Sequence, residues 1–423
     1  MTTFLFVSSI LLLTLEGLVV CRLRVIEEMD AAARLAVAFA TGLVINTLLL
    51  SIESALGIEW TRVSCFLPAA IIAIVGILAA RRAKWFLAGP RRGWIPIAGI
   101  LLLMTWGVAT ARVTCGDLLY FWGPKAVRFA AAGRIDVAYL TEPWFYLAHK
   151  DYPPLIPLQY VWGILGAKQM SYPGALLLLP LTVLATVAAF RGFARRRLDD
   201  ERSLLYALLL TPVLVTAGTV AMVGGAADMM LVFFAVIALS ALTFADDERS
   251  SLVIAAIALL GCVMTKVEGA SFAAIIVFSF AITRRRIAAA AAIFAPALLF
   301  IGAWLAFLKH RGLTENYSLE GRPLHLEKIG LVIQRILPTV NYRSFHLPWF
   351  AATLPMLTGR RWDRGALPLV AGIGIVASVV WVYLHGFPGA PDLDPTYWIR
   401  SSADRVMLTA LAAFVVATAA ANE

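Results

Sequence analysis

Charged residues are scarce in this sequence: Asp, Glu, Lys and Arg make up 15% of its 423 residues, against a hydrophobic share of 61%. A soluble domain carries about 25% charged residues, so an ordinary soluble enzyme is excluded and an integral membrane protein is indicated. Acids are the rarer sign, 26 against 36 bases, for a net charge of +10. That excess does not argue for nucleic acid, because it sits in short clusters between apolar runs. The clusters are Arg81, Arg82, Lys84, Arg91 and Arg92; Arg191 and Arg195 to Arg197; Arg284 to Arg286; and Arg360, Arg361 and Arg364. Short basic loops of this kind mark the cytoplasmic side of a membrane protein.

Cysteine is also sparse. Cys21, Cys65, Cys115 and Cys262 are scattered without CxxC spacing, which excludes a disulfide framework and a zinc site. No GxSxG, HExxH, P-loop or strand-to-helix GxGxxG motif occurs, so the soluble catalytic repertoire does not apply. There is no fixed-period repeat and no low-complexity linker. Residues 3–21 are apolar for longer than a signal-peptide core and lack a basic leader, so they read as a first span.

What the sequence does have is apolar runs, near 3–21, 32–52, 63–80, 94–112, 154–167, 172–190, 203–222, 228–244, 251–265, 269–283, 287–307, 346–358, 366–384 and 404–420. Fixing the basic clusters inside puts 112–153, 223–228, 265–268, 308–345 and 385–405 on the outer face. Both 154–167 and 172–190 lie between an outer and an inner loop, so only one can cross. The shorter piece, which opens with Pro153-Pro154, is the non-crossing one. The expected fold is all-α: a single polytopic membrane domain over 1–423 with about 13 transmembrane helices. Its N-terminus is out, its C-terminus is in, and short amphipathic surface helices lie in the outer loops. All five histidines (His149, His310, His325, His346, His385) fall on the outer face.

The remaining polar chemistry gathers on that face too. Gly123-Pro124 followed by KAVRFAAA and Gly133 predicts a short helix, with proline in its first turn and glycine past its end. Lys125 and Arg128 share one side of it, turned toward headgroups or phosphate. Asp117 precedes it and suits a turn cap as well as a reactive acid. Asp151 before Tyr152-Pro153-Pro154, and Asp228 after a glycine pair, both suit helix N-caps. Lys266 and Glu268 sit within apolar sequence, where ionisable groups are paired or functional. Ser401 and Asp404 form a capping-box pattern, and Arg405 follows at the edge of the last apolar run, within reach of a phosphate. Tyr120, Trp122 and Trp144 suit either an interfacial aromatic belt or stacking on a sugar. Residues 326–337 read as a second amphipathic surface helix. Glu16, inside the first span, has no account from sequence.

In order, Asp117, Trp122, Lys125-Ala126 and Gly133, then HKDYPPLIPL at 149–158, Ala227-Asp228, TKVEG at 265–269 and SSADR at 401–405 form a set that resembles known proteins. They are bacterial membrane glycosyltransferases of the GT-C fold, the superfamily of protein mannosyltransferases and aminoarabinose transferases. The likeness runs from residue 94 to the C-terminus, leaving 1–93 as extra N-terminal spans. It implies an enzyme that moves a sugar from a polyprenyl-phosphate-linked donor to a glycan, lipid or protein acceptor. The active site would face the periplasm from an inner membrane, with membrane lipids and no nucleic acid as further partners. The resemblance makes an acid in the first large outer loop the base. Here that is Asp117 alone, since Cys115-Gly116 precede it and Leu118 follows where many relatives pair two acids. A divalent cation is an open expectation, without assigned ligands. Lys125, Lys266 and Arg405 would meet the leaving phosphate, and Trp122, Asp151, Tyr152, Asp228 and Glu268 complete the expected substrate site. Two other classes stay open: a transporter or lipid flippase, and a ligase or polymerase of lipid-linked glycans using the 308–345 loop with His325 and Arg335.

Overall fold

The computed structural model describes the chain except for residues 82, 84, 86–93, 111–114, 143–148, 216–226, 246–247, 314–322, 340–346, 354–355, 358–359 and 386–395. Among the described residues there is no strand. A backbone in hydrocarbon must satisfy its own polar groups, and long continuous apolar runs do so only as helices. The first helices are α1 (Thr2–Gly17, extended by a 3₁₀ turn at Leu18–Arg22), α2 (Arg24–Glu27), α3 (Ala31–Ala55), α4 (Arg62–Ala80) and α5 (Ile95–Thr110). A π-helical turn at Asp117–Trp122 leads into α6 (Gly123–Ala132), then α7 (Val137–Thr141), α8 (Leu155–Ala167), α9 (Tyr172–Ala194) and α10 (Asp200–Leu214). There follow α11 (Asp228–Phe244), α12 (Glu248–Thr265), α13 (Val267–Arg284), α14 (Ile287–His310) and α15 (Ile329–Thr339). The chain closes with α16 (Leu347–Thr353), α17 (Trp362–Leu384), α18 (Thr396–Val406) and α19 (Leu408–Ala421).

Eight of these segments are long and apolar enough to cross a membrane: α1, α3, α4, α9, α13, α14, α17 and the stretch from the end of α18 through α19. The expected all-helical chain with several helices able to span a membrane is met; of the about 13 expected crossings, the runs 94–112, 203–222 and 346–358 lie partly outside the described residues. Polar caps set where several begin. Asp30 accepts from Ala33 N at 2.9 Å to start α3, Ser171 accepts from Gly174 N at 3.1 Å to start α9, and Asp199 accepts from Arg202 N at 2.7 Å to start α10. Each such cap stabilises its helix by about 1 kcal/mol.

The helices have two distinct common ends. At one, Arg191 and Arg195 of the α9 terminus both lie 3.8 Å from Asp30, ahead of α3. Arg197 pairs with Glu423 at 3.3 Å, and Arg364 at the start of α17 pairs with the same carboxylate. Two of the sequence's basic clusters therefore meet there. At the other end, Trp60 N donates to Gly133 O at 2.7 Å, Thr3 bonds Ser171 at 3.0 Å, and Trp304 Nε1 donates to Asp151 O at 2.9 Å. The segments expected to share the outer face thus do share one end of the bundle.

Helix α8 belongs wholly to that end. It follows Asp151, and near its finish Leu165 O accepts from Arg62 Nε at 2.9 Å, where α4 begins. Just beyond it, Gln169 Nε2 donates to Thr2 Oγ1 at 3.0 Å, where α1 begins. Both termini lying at the same end is the geometry expected of the non-crossing piece. Most of α8 is buried against α1 and α6.

Candidate functional site

Five ionisable side chains from four separate segments converge where the outer-face segments meet. Arg405 Nη1, near the end of α18, hydrogen-bonds Asp117 Oδ2 at the start of the π-helical turn, across 288 residues of sequence. The same Nη1 lies 3.5 Å from Asp228 Oδ2 at the first residue of α11. Asp228 Oδ1 accepts from Lys266 Nζ at 3.1 Å, and Lys266 also reaches Glu268 Oε1 at 3.1 Å. Asp228 and Lys266 are buried, while Asp117, Glu268 and Arg405 are partly so. Among the described residues, three carboxylates and two cations leave one negative charge in excess there.

Local structure explains how these groups are presented. Lys266 is the single residue between α12 and α13, with extended backbone. The hairpin closes because Gly269 has no side chain: a Cβ there would lie 2.0 Å from Cys262 O. The tight turn directs a lysine against the start of α11 instead of into the bundle's apolar wall. The π-helical turn offers Asp117 on a widened helix, a geometry frequent at functional sites.

A second group lies beside the first. α6 forms as the sequence predicts, with Pro124 in its first turn and Gly133 in the left-handed region at φ 63°. Lys125, however, does not face headgroups. It is buried, donates to His149 O at 2.8 Å and lies 5.3 Å from the Trp122 ring centre, because α8 covers that side of α6. Burial pushes the Lys125 amine down to about 7, opposed by the Asp151 carboxylate. His149 takes φ 44°, a left-handed conformation costing about 1–3 kcal/mol for a residue with a side chain. Its ring stacks on Tyr152 at 4.6 Å and meets Phe121 edge-on at 4.3 Å. Burial, followed by the cations Lys125, Lys266 and Arg405, pushes the imidazole down to about 3, so it is neutral near pH 7. Tyr152 joins the two groups, with Lys266 Nζ 6.0 Å from its ring centre and Trp122 packed 5.7 Å away.

The structure therefore brings Asp117, Asp228, Lys266, Glu268 and Arg405 into one ion cluster, and Trp122, Lys125, Asp151 and Tyr152 into the adjoining wall. Three readings of individual residues are corrected. Asp151 is not a cap: α8 starts after Pro154 without a side-chain cap. Asp228 is not one either, since it lies inside α11 and pairs with cations instead. Ser401 and Asp404 do not open a helix, because α18 begins at Thr396 and runs through them. Trp122 is buried and so outside any interfacial belt, whereas Tyr120 is exposed. Trp144 lies outside the described residues. Arg128 stays at the surface, 3.6 Å from Asp136 and 3.8 Å from Glu142. The sequence reading placed His149 on the outer face without giving it a role, and missed Trp304 and the bond between Tyr383 and Ser402 at 2.8 Å. Of these, only His149 carried a signal, being two residues from Asp151.

A narrow cleft beside the cluster is lined by Asp228, Lys266, Glu268 and Arg405 together with Leu231 and Phe272. Asp117 touches it only through Arg405. Two cations and two acids beside apolar side chains suit a ligand with a phosphate or hydroxyl head and an apolar body. Among the described residues, no group of three or more His, Cys, Asp or Glu side chains is arranged to hold a metal ion.

Fold and site together define a polytopic helical membrane protein with a buried ionic centre where several of its helices end. No family model matches the chain, and neither a characterised protein nor a solved structure matches it.

Proposed function

We propose that this chain is a membrane glycosyltransferase, taking a sugar from a polyprenyl-phosphate donor and passing it to an acceptor hydroxyl at the periplasmic face of an inner membrane. The observation that carries the reading is the Asp117–Arg405 pair. It joins the expected base to the expected phosphate ligand across 288 residues, in a partly buried setting that a solvated cap would not need. The ordered motifs that resemble the GT-C superfamily supply the reaction class. The basic clusters at the opposite end of the bundle supply the orientation.

In this reading the unliganded site is closed on itself. With one negative charge in excess, an anionic donor binds by taking Arg405, Lys266 or both from their carboxylates. Drawing Arg405 onto the donor phosphate releases Asp117, which then accepts the acceptor's hydroxyl proton as that oxygen forms its bond to the anomeric carbon. The bond from the anomeric carbon to the phosphate oxygen breaks, and the charge growing on that oxygen is met by Arg405 and Lys266. The base is thereby exposed only when the donor is present.

The test is sugar transfer by purified Asp117→Asn with defined lipid-phosphate sugars. Asparagine keeps the shape and cannot act as a base, so turnover falls by about 10²–10⁴-fold while expression and thermal transition are retained. Undiminished transfer by that variant refutes the assignment. Transport of solute in proteoliposomes without any product would instead favour a carrier, the reading that Glu16 suggests as a buried acid within a spanning helix.

A further inference from the structure

Helix α15 and the 3₁₀ turn Leu326–Lys328 before it present two apolar faces, and among the described residues the bundle covers only one. Val332 and Ile336 are buried, in the helix that packs on α17 and α18. Leu326, Ile329, Ile333 and Leu337 recur at helical spacing along an adjacent stripe, and each is about half exposed, 46–58%. Lys328 and Arg335 lie one turn-pair apart on the far side of the helix from that stripe. Four large side chains at i, i+3, i+7 and i+11 form a continuous apolar face, not scattered surface hydrophobics.

The position of this helix along the bundle indicates what meets the stripe. His325 N, immediately before Leu326, donates to Leu384 O at the last residue of the spanning helix α17. The helix therefore begins at the level where a membrane span ends, which is the level of the lipid headgroups. A helix at that depth with an apolar stripe and cations on its other side has the pattern of an interfacial amphipathic helix. Its one acid, Glu327, is matched by His325 Nδ1 at 2.9 Å, a contact in which Lys328 and Arg335 take no part.

We propose that α15 is a lipid-docking element: Leu326, Ile329, Ile333 and Leu337 insert at the boundary of headgroups and acyl chains, and Lys328 and Arg335 bind anionic headgroup phosphates. Because α15 packs on α18, which carries Arg405, this docking brings the bilayer surface to within one helix of the ion cluster. The inference does not depend on which reaction the cluster performs.

The experiment uses the full chain in nanodiscs of phosphatidylcholine with and without phosphatidylglycerol. The four native cysteines are buried, so an environment-sensitive thiol fluorophore reports selectively on Ile333→Cys or Gln334→Cys. We expect the label at 333 to be quenched by lipid-borne doxyl groups at least about threefold more than the label at 334, with the reverse for aqueous iodide. Phosphatidylglycerol increases the lipid quenching at 333, and Lys328→Gln/Arg335→Gln removes that increase. Equal iodide quenching at both positions overturns the proposal. So does protection of position 333 from both quenchers, which means a protein surface covers the stripe; cross-linking between copies then identifies self-association. Monodisperse elution of both labelled variants shows that the fold is retained.

Discussion

Replacing Lys266 with methionine leaves Asp117, Asp228 and Glu268 with Arg405 as the remaining cation of their cluster. Lys266 lies 3.1 Å from both Asp228 and Glu268. At an effective dielectric constant of about 20, each contact represents about 5 kcal/mol of gross attraction. In the intact protein most of that is offset by desolvation. In the variant the carboxylates stay desolvated and the attraction is lost, so the expected destabilisation is about 3–5 kcal/mol. Asp228→Asn acts differently. Lys266 keeps Glu268, Arg405 keeps Asp117, and the excess charge disappears, so the loss is only about 1–2 kcal/mol. The sign of the coupling is the decisive quantity. The double variant Lys266→Met/Asp228→Asn removes the most deeply buried of the three acids left to Arg405 and recovers about 1–2 kcal/mol relative to Lys266→Met alone. Unfolding in mixed micelles by dodecyl sulfate titration, followed by tryptophan fluorescence, measures all three. Strictly additive losses, or Lys266→Met with an unmoved transition, would refute the idea that these charges act as one buried unit.

Gly269→Ala forces a Cβ to within 2.0 Å of Cys262 O and costs about 3 kcal/mol, whereas Gly302→Ala in α14, with nothing within 4 Å, leaves the unfolding transition in place or raises it. His149 is held neutral down to about pH 3 when folded and has a pKa of about 6.5 when unfolded. The unfolded state therefore binds more protons between these values, and stability falls by about 1 kcal/mol per pH unit on acidification below pH 6.5. In His149→Phe that part of the acid slope disappears, as thermal transitions recorded from pH 7 to pH 4 would reveal.

What the sequence made legible was whatever depends on local pattern. Apolar run length revealed helices, basic clusters revealed which segments share an end, and Pro124 with Gly133 bracketed α6. The misread residues each depend on a contact made far along the chain. Lys125 and Arg128 look equivalent on a helical wheel. Only the packing of α8 over α6 buries the first and leaves the second at the surface. Asp151 and Asp228 carry strong cap signatures, yet Asp228 pairs with Lys266 and Arg405 instead, and Asp151 lies beside Lys125, ahead of a helix that starts only after Pro154. The Ser401–Asp404 pattern failed for a different reason. Pro395 stands immediately before Thr396 in the sequence, where proline favours a helix start, and the helix that begins at Thr396 already encloses the would-be cap.

The two ends of the bundle differ in how many charges they gather at one point. At the basic end, Arg196 pairs with a well-exposed Glu28 and Arg197 with Glu423 nearer the surface, and such pairs contribute at most about 1 kcal/mol each; Arg191 and Asp30, 3.8 Å apart, are the buried pair there. At the opposite end, Asp228 and Lys266 are withdrawn from water and tied to three further charges, two of them on other segments. A cluster of this kind does not hold a fold together better than apolar residues of the same volume would, since desolvation consumes most of its attraction. The chain has few acids to place, and it commits three of them to this one point among apolar helices. Stability does not account for that placement, whereas the proposed exchange of these ion pairs with an anionic ligand would.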